Sequence, residues 1–163
     1  YNTEEFRQCC ERLRRYFDEP ALTTDVIVGF PGETEEEFAE TLAFLKEICF
    51  YETHVFKYSR RKGTRADRMP DQIPEQVKTA RSDVLLELSG QNSTNYRNRL
   101  LGTEQEILVE EEHTIDGQQF MVGHTREYVK IAVPEGSVTE GEIVTVHVEE
   151  LLEKEGILLG KRI

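Results

Sequence analysis

The chain has 163 residues, 37% of them hydrophobic, enough for one ordinary domain or two small ones with cores of their own. Its net charge of −12 is uneven: residues 1 to 56 carry 5 Lys or Arg against 13 Asp or Glu (net −8), residues 57 to 101 carry 10 against 5 (net +5), and residues 102 to 163 carry 5 against 14 (net −9). Only the middle reads as a surface for an anionic partner, no apolar run is long enough to span a membrane, and no signal peptide opens the chain.

The start at Tyr1, without Met and just ahead of a helix, reads as a fragment of something longer. Asn2 with Glu5 predicts a capped helix whose apolar positions Phe6, Cys9 or Cys10, Leu13 and Phe17 share one face, ending before Asp18, Glu19 and Pro20. Arg12, Arg14 and Arg15 fall toward its carboxyl end, where cations complement the helix dipole or serve a ligand. Cys9, Cys10 and Cys49 show no CxxC spacing, which argues against a disulfide framework or a metal site and for reduced thiols in a cytoplasmic protein.

Thr23 to Phe38, TTDVIVGFPGETEEEF, reads as strand, bend and helix start. Val26, Ile27 and Val28 suit a strand of a parallel sheet, Gly29, Pro31 and Gly32 turn the chain, and Thr34 with Glu37 matches a capping box. A glycine-rich bend before a helix invites a phosphate, but Glu33, Glu35, Glu36 and Glu37 would repel one. The bend is better suited to the rim of a pocket beyond a strand's carboxyl end.

A second strand is expected over Glu52 to Ser59, and after it comes the densest basic segment, with Arg60, Arg61, Lys62, Arg65 and Arg68 around Gly63. If the sheet is parallel, this loop shares a rim with Gly29 to Gly32. It is either a solvated charge run or a site for phosphate or carboxylate, to which Arg is suited. From Pro74 a long helix is predicted with Val77, Ala80, Val84 or Leu85, and Leu88 as its apolar stripe and Gly90 weakening it. The polar QNSTNYRNR that follows reads as a helix end or linker, which sets a domain boundary between residues 101 and 102.

From Gly102 the period changes to that of strands, and five short strands with turn signals at Asp116-Gly117 and around Gly141 argue for a small β-barrel. The fold class is therefore α/β plus all-β. Barrels of this size bind nucleic acid with a stacking aromatic and a few cations, and His124, Arg126, Tyr128 and Lys130 could form such a patch in one hairpin. A plain core or surface role for His124 is the other reading. His54, His113 and His147 are scattered and suggest no metal constellation.

The blocks DVIVGFPGETEEEFAETLAFL, HVFKYSRRKGTRADRMPDQIPEQVK, RSDVLLELS from Arg81, and GHTREYVKIAV together closely resemble the methylthiotransferase family of radical S-adenosylmethionine enzymes. The resemblance covers practically the whole chain. The IPEQVK segment favours the MtaB-type branch, which modifies threonylcarbamoyladenosine beside the tRNA anticodon, over branches acting on isopentenyladenosine or a ribosomal protein. What the resemblance implies is a TIM-like barrel fragment over 1–101, a TRAM barrel over 102–163, tRNA as partner, and S-adenosylmethionine with two 4Fe-4S clusters as the intact enzyme's cofactors. It further implies Val28, Gly29, Phe30, Phe56, Lys57 and Tyr58 near the adenine and ribose, and Arg60, Arg61, Lys62 and Arg65 facing anionic substrate or the cofactor's carboxylate. The family's cluster domain and its CxxxCxxC loop are not in the sequence, so the isolated chain is expected to hold no cofactor and to be inert, and its unpaired barrel strand to promote self-association. The competing readings are an RNA-holding module without catalysis and an acidic scaffold for protein contacts.

Overall fold

The computed structural model describes residues 2–163, which divide into two compact units, one running up to Ser93 and the other Thr94–Ile163. In the first, helix α1 (Thr3–Tyr16) leads to strand β1 (Thr23–Val28), helix α2 (Glu35–Ile48), strand β2 (Glu52–Lys57), a 3₁₀ turn at Ala66–Arg68 and the start of helix α3 (Glu75–Arg99). β1 and β2 run parallel, with Val26 opposite Val55 and Val28 opposite Lys57. A parallel pair needs a crossover, and α2 supplies it.

Local chemistry sets these boundaries. Asn2 and Thr34 both close full capping boxes, with Glu5 and Glu37 respectively. α2 ends where Cys49 takes the left-handed conformation at φ 53. The core gathers Cys10, Val28, Phe38, Leu45, Ile48, Phe50 and Leu85, with Phe6 tilted against Phe44 and Phe50. Burial raises the Cys10 thiol pKa, and the nearby Arg14 only partly offsets it, so this cysteine behaves as a small hydrophobe.

Three expectations need adjustment. The second strand ends at Lys57 rather than Ser59, although the Tyr58 amide still donates to the Val28 carbonyl at 2.9 Å. Leu13 of α1 and its C-cap residue Phe17 are exposed, and Arg14 donates not into its own helix end but to the carbonyls of Ile48 and Cys49 at the end of α2. The anticipated stripe of α3 holds at Leu85, which is buried, and at the half-buried Val77 and Leu88, but Ala80 is exposed and the buried face also takes in Lys78, Arg81 and Ser82. Of the two readings of the polar QNSTNYRNR segment, the helix end holds, since it forms the last stretch of α3.

The second unit holds strands β3 (Glu104–Ile115), β4 (Gln118–His124), β5 (Lys130–Pro134), β6 (Ile143–Leu152) and β7 (Ile157–Arg162), closed in the order β3-β4-β5-β7-β6. All neighbours are antiparallel except β5 and β7, which pair through Ile131–Leu158 and Ala132–Leu159. Closure removes the free edges that a five-stranded sheet would present. Asp116 and Gly117 both have positive φ, 47° and 81°, as a two-residue type I′ hairpin requires. Gly123 is obligatory for another reason: a Cβ there would meet the Leu108 carbonyl oxygen at 2.3 Å, so β3 and β4 approach more closely than any side chain permits.

Candidate functional site

The two bends leave the same end of the parallel pair. The loop after β1 and the loop after β2 are joined where the Gly32 amide donates to the Asp71 carbonyl at 2.9 Å. α3 clamps the same end with two residues one turn apart. Lys78 donates from Nζ to the Tyr58 carbonyl at 3.0 Å, and its aliphatic stem packs against Gly29. Arg81, 4% exposed, reaches the carboxylates of Glu33 and of Glu35, the latter at 2.6 Å, and lies over the Phe38 ring. Burial alone would lower the Arg81 pKa, but the carboxylates of Glu35 and Glu33 outweigh it and raise the value, so the guanidinium stays charged.

The glycine bend is poorly placed to cradle a phosphate, because four amides in and just after it are already engaged. Gly29 N–H donates to the Glu33 carboxylate at 2.7 Å, Gly32 N–H to Asp71, Glu33 N–H to the Phe30 carbonyl, and Thr34 N–H to the Glu37 carboxylate. A cleft of about 820 Å³ runs from the start of α1 past Val26 to Phe30 and Glu33, and Glu37, Glu40 and Glu47 make it acidic. Such walls disfavour an anion.

The residues expected near a cofactor divide by exposure. The Val28 side chain is fully buried in the core, and Gly29 is buried beneath Lys78. Phe30 and Phe56 are 42% and 52% exposed, and Phe30 meets the Tyr58 ring edge-on at 5.2 Å. Lys57 is drawn to Glu75 at 2.7 Å, a contact that holds the Glu75 carboxyl below its usual range. The Tyr58 hydroxyl is buried with no hydrogen-bond partner among the described residues.

In the basic loop, Arg60 is committed to Asp67, with Nε to the carboxylate at 3.0 Å and Nη2 to the carbonyl at 2.8 Å. Arg61, Lys62 and Arg65 are exposed. The backbone around them is shaped by Thr64, whose hydroxyl donates to the Arg61 carbonyl and accepts from the Asp67 amide.

On the barrel, Tyr128 stacks on His124 at 4.2 Å with 17° between rings, which brings two of the expected residues together. Each polar side chain of that patch also has a carboxylate from β3: Arg126 with Glu106 at 2.8 Å, His124 with Glu110, and Lys130 with Glu111 at 3.8 Å. A bulge between Val109 and Glu111 interrupts the strand's alternation, so that Glu110 and Glu111 are both exposed. Sequence reading finds the patch and misses its counter-charges, which lie on another strand. It misses Lys78 and Arg81 for a similar reason, since charged residues give no apolar period. No group of three or more His, Cys, Asp or Glu among the described residues is arranged to hold a metal, and Cys9 and Cys49 are exposed while Cys10 is buried.

A parallel βα pair whose loops meet at the strands' carboxyl ends, followed by a five-stranded barrel, defines a two-part α/β and all-β chain. Residues 98–161 match the TRAM domain model. Over 91% of its length the chain is 42% identical to a tRNA-2-methylthio-N(6)-dimethylallyladenosine synthase of Thermobifida fusca, covering 31% of that protein. It is equally 42% identical, over 91% of its length, to the threonylcarbamoyladenosine tRNA methylthiotransferase MtaB of Bacillus subtilis, covering 33%. The MtaB of Thermotoga maritima is 37% identical over 97% of the chain, covering 35%. The chain thus spans about a third of the length of these relatives and belongs to the tRNA methylthiotransferase family, matching the carboxyl-terminal part of its members.

Proposed function

We propose that this chain is the segment of a tRNA methylthiotransferase that completes the catalytic barrel and contacts the tRNA. The observation that carries the proposal is the meeting of the two bends at one end of a parallel pair, tied by the Gly32–Asp71 hydrogen bond. In parallel sheets, ligands bind beyond the strands' carboxyl ends. Ile27 and Phe56, register partners on the face turned away from the helices, are 55% and 52% exposed, as expected of strands whose inner face lines a larger barrel. On this reading β1 and β2 are the last strands of a TIM-like barrel to which residues 1–101 belong, and residues 102–163 form a separate TRAM barrel.

The residues at this end suit an adenosyl group better than a phosphate. Phe30 and Phe56 offer exposed apolar surface, and the orphaned Tyr58 hydroxyl calls for a partner. Bound there, S-adenosylmethionine would supply radical chemistry at the base, with the electron for its reductive cleavage coming from a cluster held elsewhere in the enzyme. The chain's own part is to hold the rim: Lys78 and Arg81 fix the two bends, and Arg61, Lys62 and Arg65 face the anionic RNA. The cysteines present do not fit a 4Fe-4S cluster, so cluster chemistry belongs to other parts of the enzyme and this segment alone is inert. The nucleoside acted on is proposed as threonylcarbamoyladenosine from the IPEQVK segment; the equal identity to both kinds of relative makes dimethylallyladenosine the alternative.

The test uses an enzyme carrying this segment, with Arg61, Lys62 and Arg65 changed to alanine. Affinity for tRNA should fall, with a salt dependence shallower by about 0.7 to 0.9 for each phosphate no longer neutralised, while S-adenosylmethionine binding stays intact. Unchanged tRNA binding would remove the loop from the RNA surface.

A further inference from the structure

The barrel's aromatic patch is neutralised from within. Arg126, His124 and Lys130 each stand against a β3 glutamate, and Arg162 on β7 is held by Glu142 at 2.7 Å. A phosphate approaching Arg126 would exchange one anion for another, inside a segment of net charge −9. Little counterion release follows from such an exchange, so the electrostatic term that drives ordinary RNA binding is largely missing here.

What remains uncovered is apolar and aromatic. Tyr128, Ile143 and Leu108 are 74%, 65% and 43% exposed. The register aligns them: Leu108 of β3 lies opposite His124 of β4 and Ile143 of β6, and His124 lies opposite Lys130 of β5. One rung thus runs Lys130, His124, Leu108, Ile143 across four strands, with the Tyr128 ring stacked on the imidazole. Tyr128 is held there by a tight turn: its amide donates to the Thr125 carbonyl at 3.0 Å, and the Thr125 amide donates to the Val129 carbonyl at 3.0 Å. The turn keeps Tyr128 at φ 65, a left-handed conformation that bulky residues rarely adopt.

We infer that this rung is a stacking platform for unpaired nucleobases, and that Glu106 and Glu111 act as specificity determinants by masking Arg126 and Lys130. A base presents a neutral π-face, so the carboxylates do not repel it. Bases in a duplex are already stacked and paired, which leaves the platform nothing to receive. The face therefore selects exposed loop bases over paired RNA. The inference rests on the proposed RNA contact and deepens it.

The experiment titrates the 163-residue chain by fluorescence anisotropy with a labelled anticodon stem-loop RNA and with a fully paired hairpin of equal length, over a series of salt concentrations. It is run in the native chain and in a background with Arg61, Lys62 and Arg65 changed to alanine, so that the barrel is read alone. In that background the stem-loop should bind more tightly than the paired hairpin, with a log–log salt slope no steeper than about −0.7, the value for one neutralised phosphate. Tyr128→Ala should weaken stem-loop binding by about 10- to 100-fold, and Tyr128→Phe should retain it. Glu106→Gln with Glu111→Gln, which uncovers Arg126 and Lys130, should strengthen binding of both RNAs and steepen the slope by about 0.7 per cation uncovered. Equal affinity for the two RNAs, a steep slope before the glutamates are changed, or indifference to Tyr128→Ala would overturn the platform while leaving the RNA reading in place. Binding by the native chain but not by the loop-substituted background would overturn it too, and failure of the native chain to bind either RNA would overturn both.

Discussion

The stem of Lys78 occupies the space where a side chain at Gly29 would stand: a Cβ there would lie 2.3 Å from Lys78 Cγ. Gly29 also sits at φ 69, a conformation that costs other residues roughly 1 to 2 kcal/mol. Lys78 could swing aside, but its ammonium would then give up the Tyr58 carbonyl that ties α3 to the end of β2. Gly29→Ala is therefore expected to destabilise the amino-terminal unit by about 2 to 4 kcal/mol, combining backbone strain with overpacking, as a lower urea midpoint. Adding Lys78→Ala should relieve the packing part and leave the backbone part. A single variant with the native midpoint would show that the contact is slack.

Arg81 is the other half of the clamp, and its substitution separates a buried pair from an exposed one. Its side chain is 5% exposed and that of Glu33 14%, whereas that of Glu35 is 75% exposed. Arg81→Met strands the Glu33 carboxylate in a partly dry site and should cost about 2 to 4 kcal/mol, somewhat under the full range for a broken buried pair because Glu35 returns to water. Glu35→Gln should cost less than about 1 kcal/mol. Equal destabilisation by the two variants in denaturant titrations would contradict this ranking.

Much of the scaffold can be read from local signals. The capping boxes at Asn2 and Thr34, the glycine bend and the Asp116-Gly117 hairpin depend on residues a few positions apart, and each is found where its chemistry requires it. Contacts across strands and helices are not legible in the same way. Arg14 serves a carbonyl 34 residues away, Arg81 a carboxylate 48 away, and the β3 glutamates meet cations that only the barrel register brings near. Arg60 illustrates the limit within one loop: the sequence marks it as a cation available to a ligand, but Asp67 folds back to take it. The patch at His124 and Tyr128 is visible because one hairpin carries it, and its masking is hidden because another strand does.

Ile27 and Phe56 lie opposite each other on the open face of a two-stranded sheet, both more than half exposed. A pair of strands does not bury enough surface to stand unaided. The 163-residue chain is accordingly expected to self-associate as its concentration rises, and Ile27→Lys with Phe56→Lys to suppress this. A strictly monomeric native chain in concentrated solution by light scattering would exclude such pairing.

Acid should weaken the barrel through Glu142. The Thr139 amide, the Thr139 hydroxyl and Arg162 all bond this carboxylate, with the amide foremost, and they hold its pKa below the ordinary glutamate value. The folded state then binds fewer protons than the unfolded state in this window, so the contribution is complete above the unfolded pKa of about 4.3 and is lost as pH falls through the folded value. The thermal unfolding temperature of the barrel should begin to decline below that pH, and Glu142→Gln should flatten the decline while lowering the plateau at neutral pH. An identical pH profile in the two proteins would remove Glu142 from the acid response.

Tyr128 offers a test of whether stability has been given up for a surface feature. A tyrosine at φ 65 costs roughly 1 to 2 kcal/mol of backbone energy, while glycine at the same place relieves that strain and loses about 0.5 to 1 kcal/mol through the greater freedom of the unfolded chain. The ring is 74% exposed, and its stack on His124 buries little surface. Tyr128→Gly is therefore expected to leave the barrel as stable as before or up to about 1 kcal/mol more stable, whereas Tyr128→Ala, which keeps the strain and removes the ring, should be mildly destabilising. Chemical denaturation of the two variants against the native chain decides it. If glycine proves clearly worse than alanine, the ring's packing, rather than its presentation to a ligand, explains why a tyrosine stands in this turn.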